Sequence, residues 1–183
     1  MSALRPAVFL DRDGVLNSIV WRGETPASPR SPDELIIEPG AREALEALKA
    51  AGYLLLVVTN QPDVARGLMA GETLDAIHDK LRAALPVDAV AACRHDNADA
   101  CACRKPKPGL VLDLAREHGV DLSRSWLVGD QARDVTCGQA AGCTTVLLDR
   151  PYNPGREAGA DHTLETLAQA AALMTRAPYA LTA

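Results

Sequence analysis

Short apolar runs alternate with amphipathic stretches along this chain. Val8-Phe9-Leu10 and Tyr53-Leu54-Leu55-Leu56-Val57-Val58 carry no polar break, which predicts strands buried on both faces. Residues 87–92, 126–128 and 144–148 are further strand candidates. Helical patterns fall between them. Pro39-Gly40 opens one with Leu45, Leu48 and Ala51 on one side, closed by Gly52. Thr73 is expected to cap a second, whose Leu74, Ile77, Leu81 and Leu85 share a face before Pro86 stops it. A third starts at Pro108-Gly109 and runs to Gly119. A small-residue helix ends at Gly142, and a last one is expected over 163–174.

Two stretches interrupt this rhythm. Residues 17–33 are polar, hold three prolines and have no clear period, which predicts a loop over one edge of the sheet. Residues 152–161 read as a Pro/Gly loop. Strands alternating with helices predict an α/β fold: a three-layer, Rossmann-like parallel sheet with helices on both faces and no large cap domain. There is no internal repeat and no linker, so residues 1–183 are expected to form a single domain.

Composition narrows the class. Hydrophobic residues are 48% and charged residues 23%, the balance of an ordinary globular protein, while aromatics at 3% leave the core to Ala, Val and Leu. A net charge of −5 argues against a nucleic-acid partner. No stretch approaches the roughly 20 apolar residues of a membrane helix. Asp11 comes too early to leave room for a signal peptide, so a cytoplasmic protein is expected, and a small fold of this length is expected to work as a monomer.

Candidate chemistry sits where the apolar runs stop. Asp11 and Asp13 end the first run two residues apart, with Gly14 directly after. Carboxylates at i and i+2 of an extended segment point the same way and repel, so they need a cation or a divided protonation. A hard cation such as Mg²⁺ suits an oxygen-only site. Thr59-Asn60-Gln61, Arg104-Lys105-Pro106 and Gly129-Asp130 follow other predicted strands or the Cys/His segment, and strand ends of a parallel sheet share one edge. Each motif alone is as consistent with a turn, a helix cap or a solvated charge pair. Together they suit phosphoryl transfer: a carboxylate nucleophile, a second carboxylic acid as proton donor, and a hydroxyl and an ammonium for the equatorial oxygens.

Asp11-Arg12-Asp13-Gly14, Thr59-Asn60-Gln61, Lys105-Pro106 and Gly129-Asp130 resemble the four motifs of the haloacid dehalogenase-like hydrolases. The resemblance implies Asp11 as nucleophile and Asp13 as general acid/base. It implies that Thr59 and Lys105 stabilise the phosphoryl group, and that Asp130 joins Asp11 and the Asp13 backbone carbonyl around Mg²⁺. Asp134 would be either an acid supporting that site or an exposed helix residue.

Five cysteines are an odd number for a disulfide framework, and Cys93-x-His95…Cys101-x-Cys103 packs three of them with a histidine. Three thiolates and an imidazole satisfy a tetrahedral Zn²⁺ with no open position, a structural site in a zinc-binding loop. Followed by Arg104-Lys105-Pro106, this cluster resembles the heptose bisphosphate phosphatase and histidinol phosphatase branch of the family. The resemblance implies a small phosphorylated sugar, with D-glycero-D-manno-heptose 1,7-bisphosphate losing one phosphate. It also implies Asn60, Gln61, Arg104 and Lys105 as substrate-binding residues. Histidinol phosphate, or another small phosphomonoester, is the alternative; an inactive zinc-stabilised binding module is a second. Pro62-Asp63 departs from the Ser-Gly of the branch, removing an amide N–H and adding a negative charge beside an anionic ligand. His78 is expected to be solvated, and Cys137 and Cys143 to be buried small hydrophobes.

Overall fold

The computed structural model describes residues 4–153 and 159–176. Its centre is a six-stranded, all-parallel sheet. In chain order the strands are β1 (Ala7–Leu10), β4 (Leu54–Asn60), β5 (Ala89–Cys93), β6 (Trp126–Gly129), β7 (Thr144–Leu148) and β8 (His162–Leu164). Their spatial order is β5-β4-β1-β6-β7-β8, so β1 lies between β4 and β6 and the chain reverses direction across the sheet there. A reversal of this kind opens a crevice beyond the carboxyl ends of the strands.

Alternation along each strand sends side chains into two separate cores. Val8, Leu10, Leu55, Val57 and Val128 join the first core with Leu45 and Leu48 of α1 (Ala41–Ala50), Leu74, Ile77 and Leu81 of α2 (Gly71–Ala84), and Ala170 and Met174 of α5 (Leu167–Arg176). Phe9, Leu54, Leu56, Val58 and Leu127 face the other way. They pack on Val111 and Leu114 of α3 (Gly109–His118) and Cys137 and Ala141 of α4 (Ala132–Ala141). The expected three layers are present, and both Cys137 and Cys143 are buried among apolar neighbours.

Four expectations need correction. Residues 17–33 contain an antiparallel hairpin, β2 (Val20–Arg22) with β3 (Thr25–Ala27), followed by a 3₁₀ turn at Pro32–Glu34. Strands of three residues, one holding Pro26, are too short to show a period. The expected helix over 163–174 begins only at Leu167, because His162–Leu164 first adds an edge strand beside β7. Thr73 caps nothing: α2 starts at Gly71, and Leu74 N–H already donates to Ala70 O at 3.2 Å, so the helical turn has formed before the threonine. His78 is buried rather than solvated, for reasons given below. Of the loop expected over 152–161, residues 154–158 lie outside the described residues.

Candidate active site

The predicted residues meet at the carboxyl edge of the sheet. Asp11 directly follows β1, and its N–H donates to Val128 O of β6 at 2.9 Å, continuing the ladder by one residue. Its Oδ1 accepts from Arg12 N–H at 2.8 Å and lies 2.9 Å from Lys105 Nζ. The same ammonium lies 2.6 Å from Oδ1 of Asp134. Asp134 is fully buried in the first turn of α4, so it belongs to the site and is not an exposed helix residue. Gly129 makes room for it, since a Cβ there would overlap the Asp134 side chain.

Asp11, Asp130 and Asp134 present carboxylate oxygens within 4.8 Å of one another. Three carboxylates against one ammonium leave an excess of negative charge among almost fully buried side chains. The titration behaviour follows. Burial pushes Asp11 up to about 6; Lys105 pulls the other way, and Asp134 and Asp13 add to the rise. Burial, then the Asp11 and Asp134 carboxylates, push Asp130 up to about 7. Burial works against the charge on Lys105, but Asp11 and Asp134 overcome it and hold the ammonium protonated. Asp130 Oδ1 is buried and has no hydrogen-bond partner among the described residues. An all-oxygen donor set with excess negative charge and an orphaned carboxylate oxygen fits a hard divalent cation.

Asp13 is held differently. Its carboxylate accepts from Arg12 Nε at 3.1 Å, Asn17 Nδ2 at 3.0 Å, Ser28 Oγ at 2.7 Å and Gln61 Nε2 at 2.8 Å. Burial alone would raise its pKa, but Arg12 and the three neutral donors bring it below the usual carboxylate value. Its side chain takes no part in the acidic cluster. Arg12 is itself fully buried, and its Nη1 meets His78 Nε2 at 3.1 Å. A guanidinium only donates, so this ring nitrogen is an unprotonated acceptor. Burial and then the Arg12 charge lower the His78 pKa to about 4, which keeps it neutral.

Two residues expected to touch substrate also make internal hydrogen bonds. Gln61 is fully buried, and its amide serves Asp13 and Thr59 Oγ1. Asn60 lines the cavity, yet its side chain grips the Lys105 backbone through two 3.0 Å bonds, Nδ2 to Lys105 O and Lys105 N–H to Oδ1. This pairing joins β4 to the segment after the cysteines and aims Lys105 at Asp11.

Above these groups is a cavity of about 390 Å³. Asp11, Asp13, Thr59 and Asp130 form part of its lining, with the β2–β3 hairpin at one side. Arg30, Arg66, Arg104 and Arg133 also line it. Asp63, the residue that departs from the branch pattern, does not repel an anion here. Arg30 Nε holds it at 2.7 Å and Arg66 lies 3.8 Å away. Ser28, Arg30 and Tyr152 escaped the sequence reading. Ser28 and Arg30 sit in a loop without period, whereas Tyr152 follows β7 at the productive sheet edge, a signal that was available.

The thiol cluster closes locally. Cys93, Cys101 and Cys103 sulfurs lie 3.3–3.6 Å apart and are free, and His95 Nδ1 stands 3.3 Å from Cys103 Sγ and 3.6 Å from Cys93 Sγ. Disulfide sulfurs would be about 2.05 Å apart. Ligands of a tetrahedral Zn²⁺, at about 2.3 Å for sulfur and 2.0–2.1 Å for nitrogen, are separated by roughly this much. Arg104 leaves this loop for the cavity, and its guanidinium donates to Asn97 Oδ1 at 2.7 Å and to His95 O at 3.2 Å.

A family model described as HAD-hydrolase-like matches residues 102–170. A D-glycero-beta-D-manno-heptose-1,7-bisphosphate 7-phosphatase from Bordetella bronchiseptica is 43% identical over 146 residues, covering 77% of this chain and 79% of the relative. The chain belongs to the haloacid dehalogenase-like hydrolases. Within that family, a 7-phosphatase of the same name from Pasteurella multocida is 33% identical, over 90% of this chain and 94% of its own. A solved structure of D,D-heptose 1,7-bisphosphate phosphatase from B. bronchiseptica, complexed with magnesium and phosphate, superimposes with a TM-score of 0.80. Its sequence identity is 38%, and 92% of this chain and 97% of that one are covered.

Proposed function

We propose that this haloacid dehalogenase-like hydrolase is an Mg²⁺-dependent phosphatase that removes the 7-phosphate of D-glycero-β-D-manno-heptose 1,7-bisphosphate through an aspartyl phosphate. The observation that carries this reading is Asp11. One of its oxygens is fixed by Arg12 N–H and Lys105, and the residue lines the cavity where a phosphate would enter. The names of the relatives supply the sugar and the position.

The free Asp11 oxygen attacks phosphorus while the ester bond to the sugar breaks, and protonated Asp13 gives its proton to the leaving alkoxide. A phosphate dianion entering beside Asp13 raises its proton affinity, which opposes the pull of Arg12 and loads it as an acid. In the second half-reaction Asp13 takes a proton from water as that water attacks phosphorus, freeing Asp11 and inorganic phosphate. Thr59 and Lys105 stabilise the equatorial oxygens. Asp11, Asp130 and the Asp13 backbone carbonyl would hold Mg²⁺, which supplies charge neutralisation between two anionic reactants. Cys93, His95, Cys101 and Cys103 would hold a structural Zn²⁺. No helix among the described residues is long and apolar enough to cross a membrane.

Histidinol phosphate fits less well. An amine seeks a carboxylate, and Asp63 is already taken by Arg30 and Arg66, while a distal phosphate would meet Arg104. The test is Mg²⁺-dependent phosphate release from both anomers of the heptose bisphosphate, histidinol phosphate and an aryl phosphate. The expected result is fast release from the β anomer, lost in Asp11→Asn. Faster release from histidinol phosphate would replace the substrate assignment, and activity surviving Asp11→Asn would overturn the mechanism.

A further inference from the structure

We propose that Tyr152 is a positioning residue for the Mg²⁺ site, its hydroxyl holding one oxygen of Asp130 so that the other is presented to the cation. This rests on the metal reading above and adds a residue to it. Tyr152 lies just beyond β7, and its hydroxyl donates to Asp130 Oδ2 at 2.9 Å. Asp130 is 1% exposed, and its Oδ1 has no hydrogen-bond partner among the described residues. The two oxygens are therefore unequal before any ion arrives: one is committed and one is vacant. A carboxylate free to rotate would offer either oxygen or both; this one is held as a one-oxygen ligand.

The surroundings enforce the arrangement. Asn153 Nδ2 donates to the Asp130 backbone carbonyl, so adjacent residues hold both the main chain and the side chain of Asp130. Gly14, at φ +81°, lies directly beneath, and a Cβ there would overlap both the Tyr152 hydroxyl and the Asp130 carboxylate. The glycine after the Asp11/Asp13 pair is thus required by this contact as well as by its own backbone conformation. On its far side the Tyr152 ring meets Trp21 edge-on, with centroids 6.1 Å apart and planes at 85°. Trp21 belongs to β2, so one tyrosine links the hairpin beside the cavity to a metal-facing carboxylate.

Hydrogen bonds to metal ligands set ligand orientation, and losing one costs about 10–100-fold in metal affinity or activity. Tyr152→Phe removes the hydroxyl and keeps the ring against Trp21. Calorimetric titration of the full-length, zinc-loaded protein with Mg²⁺ is expected to give a Kd about 10-fold weaker in Tyr152→Phe than in the unmodified chain. The melting temperature measured without Mg²⁺ is expected to fall by about a few degrees, because Asp130 loses a buried donor. Equal Mg²⁺ affinity in the two proteins would overturn the inference while leaving the metal reading intact. No Mg²⁺ binding to the unmodified chain would overturn both. A fall in melting temperature alone, with Mg²⁺ affinity unchanged, would assign Tyr152 to stability only and overturn the inference too.

Discussion

The acidic cluster and the thiol cluster lie close together, yet they are built in opposite ways. Cys93, His95, Cys101 and Cys103 fall within eleven residues, and their ligand atoms meet because the loop after β5 folds back on the end of that strand. Asp11, Lys105, Asp130 and Asp134 come from three separate stretches of chain, and they meet only because β1 lies between β4 and β6. A local cluster of this kind would depend on its own ion, a dispersed one on the sheet. The two are joined at Arg104 and Lys105, which leave the last thiol and enter the cavity and the acidic cluster.

Removing the proposed zinc should disturb the local cluster first. Structural zinc contributes on the order of 10 kcal/mol to the folding of small metal-bound units. Stripping it with a chelator is expected to open residues 93–103 to amide exchange while the protection of β1 and β6 persists. Arg104 loses the His95 carbonyl that holds it, so KM for the bisphosphate should rise. Full activity in a folded, zinc-free protein would separate the two clusters and break the link drawn here.

Lys105→Met is the matching perturbation of the dispersed cluster. It leaves Asp11 and Asp134 buried without their ammonium, which costs about 3–5 kcal/mol. The sharper expectation concerns Mg²⁺: it should raise the melting temperature more in Lys105→Met than in the unmodified chain, because the ion then replaces the missing charge. An equal rise in both would show that Lys105 and Mg²⁺ do not share the same negative field.

His78 tests the support behind Asp13. Its pKa is about 4 in the fold against an ordinary 6.5, so between these values the unfolded chain binds a proton that the folded one refuses. Stability therefore falls as pH drops from 6.5 toward 4, by about 2–3 kcal/mol from this residue. His78→Gln keeps an acceptor for Arg12 and cannot titrate. Thermal melts across that range should show a flatter acid limb in His78→Gln, and identical limbs would place the acid sensitivity elsewhere.

The same contrast explains what could be read without a structure. The clustering of Cys93, His95, Cys101 and Cys103 was legible from spacing alone because its geometry is local. Asp11, Asp13, Thr59, Lys105 and Asp130 were legible as strand-end residues, since long apolar runs mark buried parallel strands. What they touch was not legible. Gln61 and Asn60 bond to Asp13 and Lys105, partners 48 and 45 residues distant. Edge elements were missed for another reason: β2, β3 and β8 have three residues each, less than a period needs. His78 was recoverable, because it lies four residues after Leu74 on the buried side of α2, but its charged neighbours Asp79 and Lys80 obscured that.

The central claim is that Asp11 becomes phosphorylated. The direct measurement mixes enzyme, Mg²⁺ and heptose bisphosphate labelled in the 7-phosphate, and quenches in acid within one turnover. Borohydride then reduces any acyl phosphate before the peptides are mapped. The expected result is labelled protein in the quench and a reduced residue at position 11, absent in Asp11→Asn. Turnover with no acyl phosphate, or with label on another side chain, would contradict the account and point to direct attack by water.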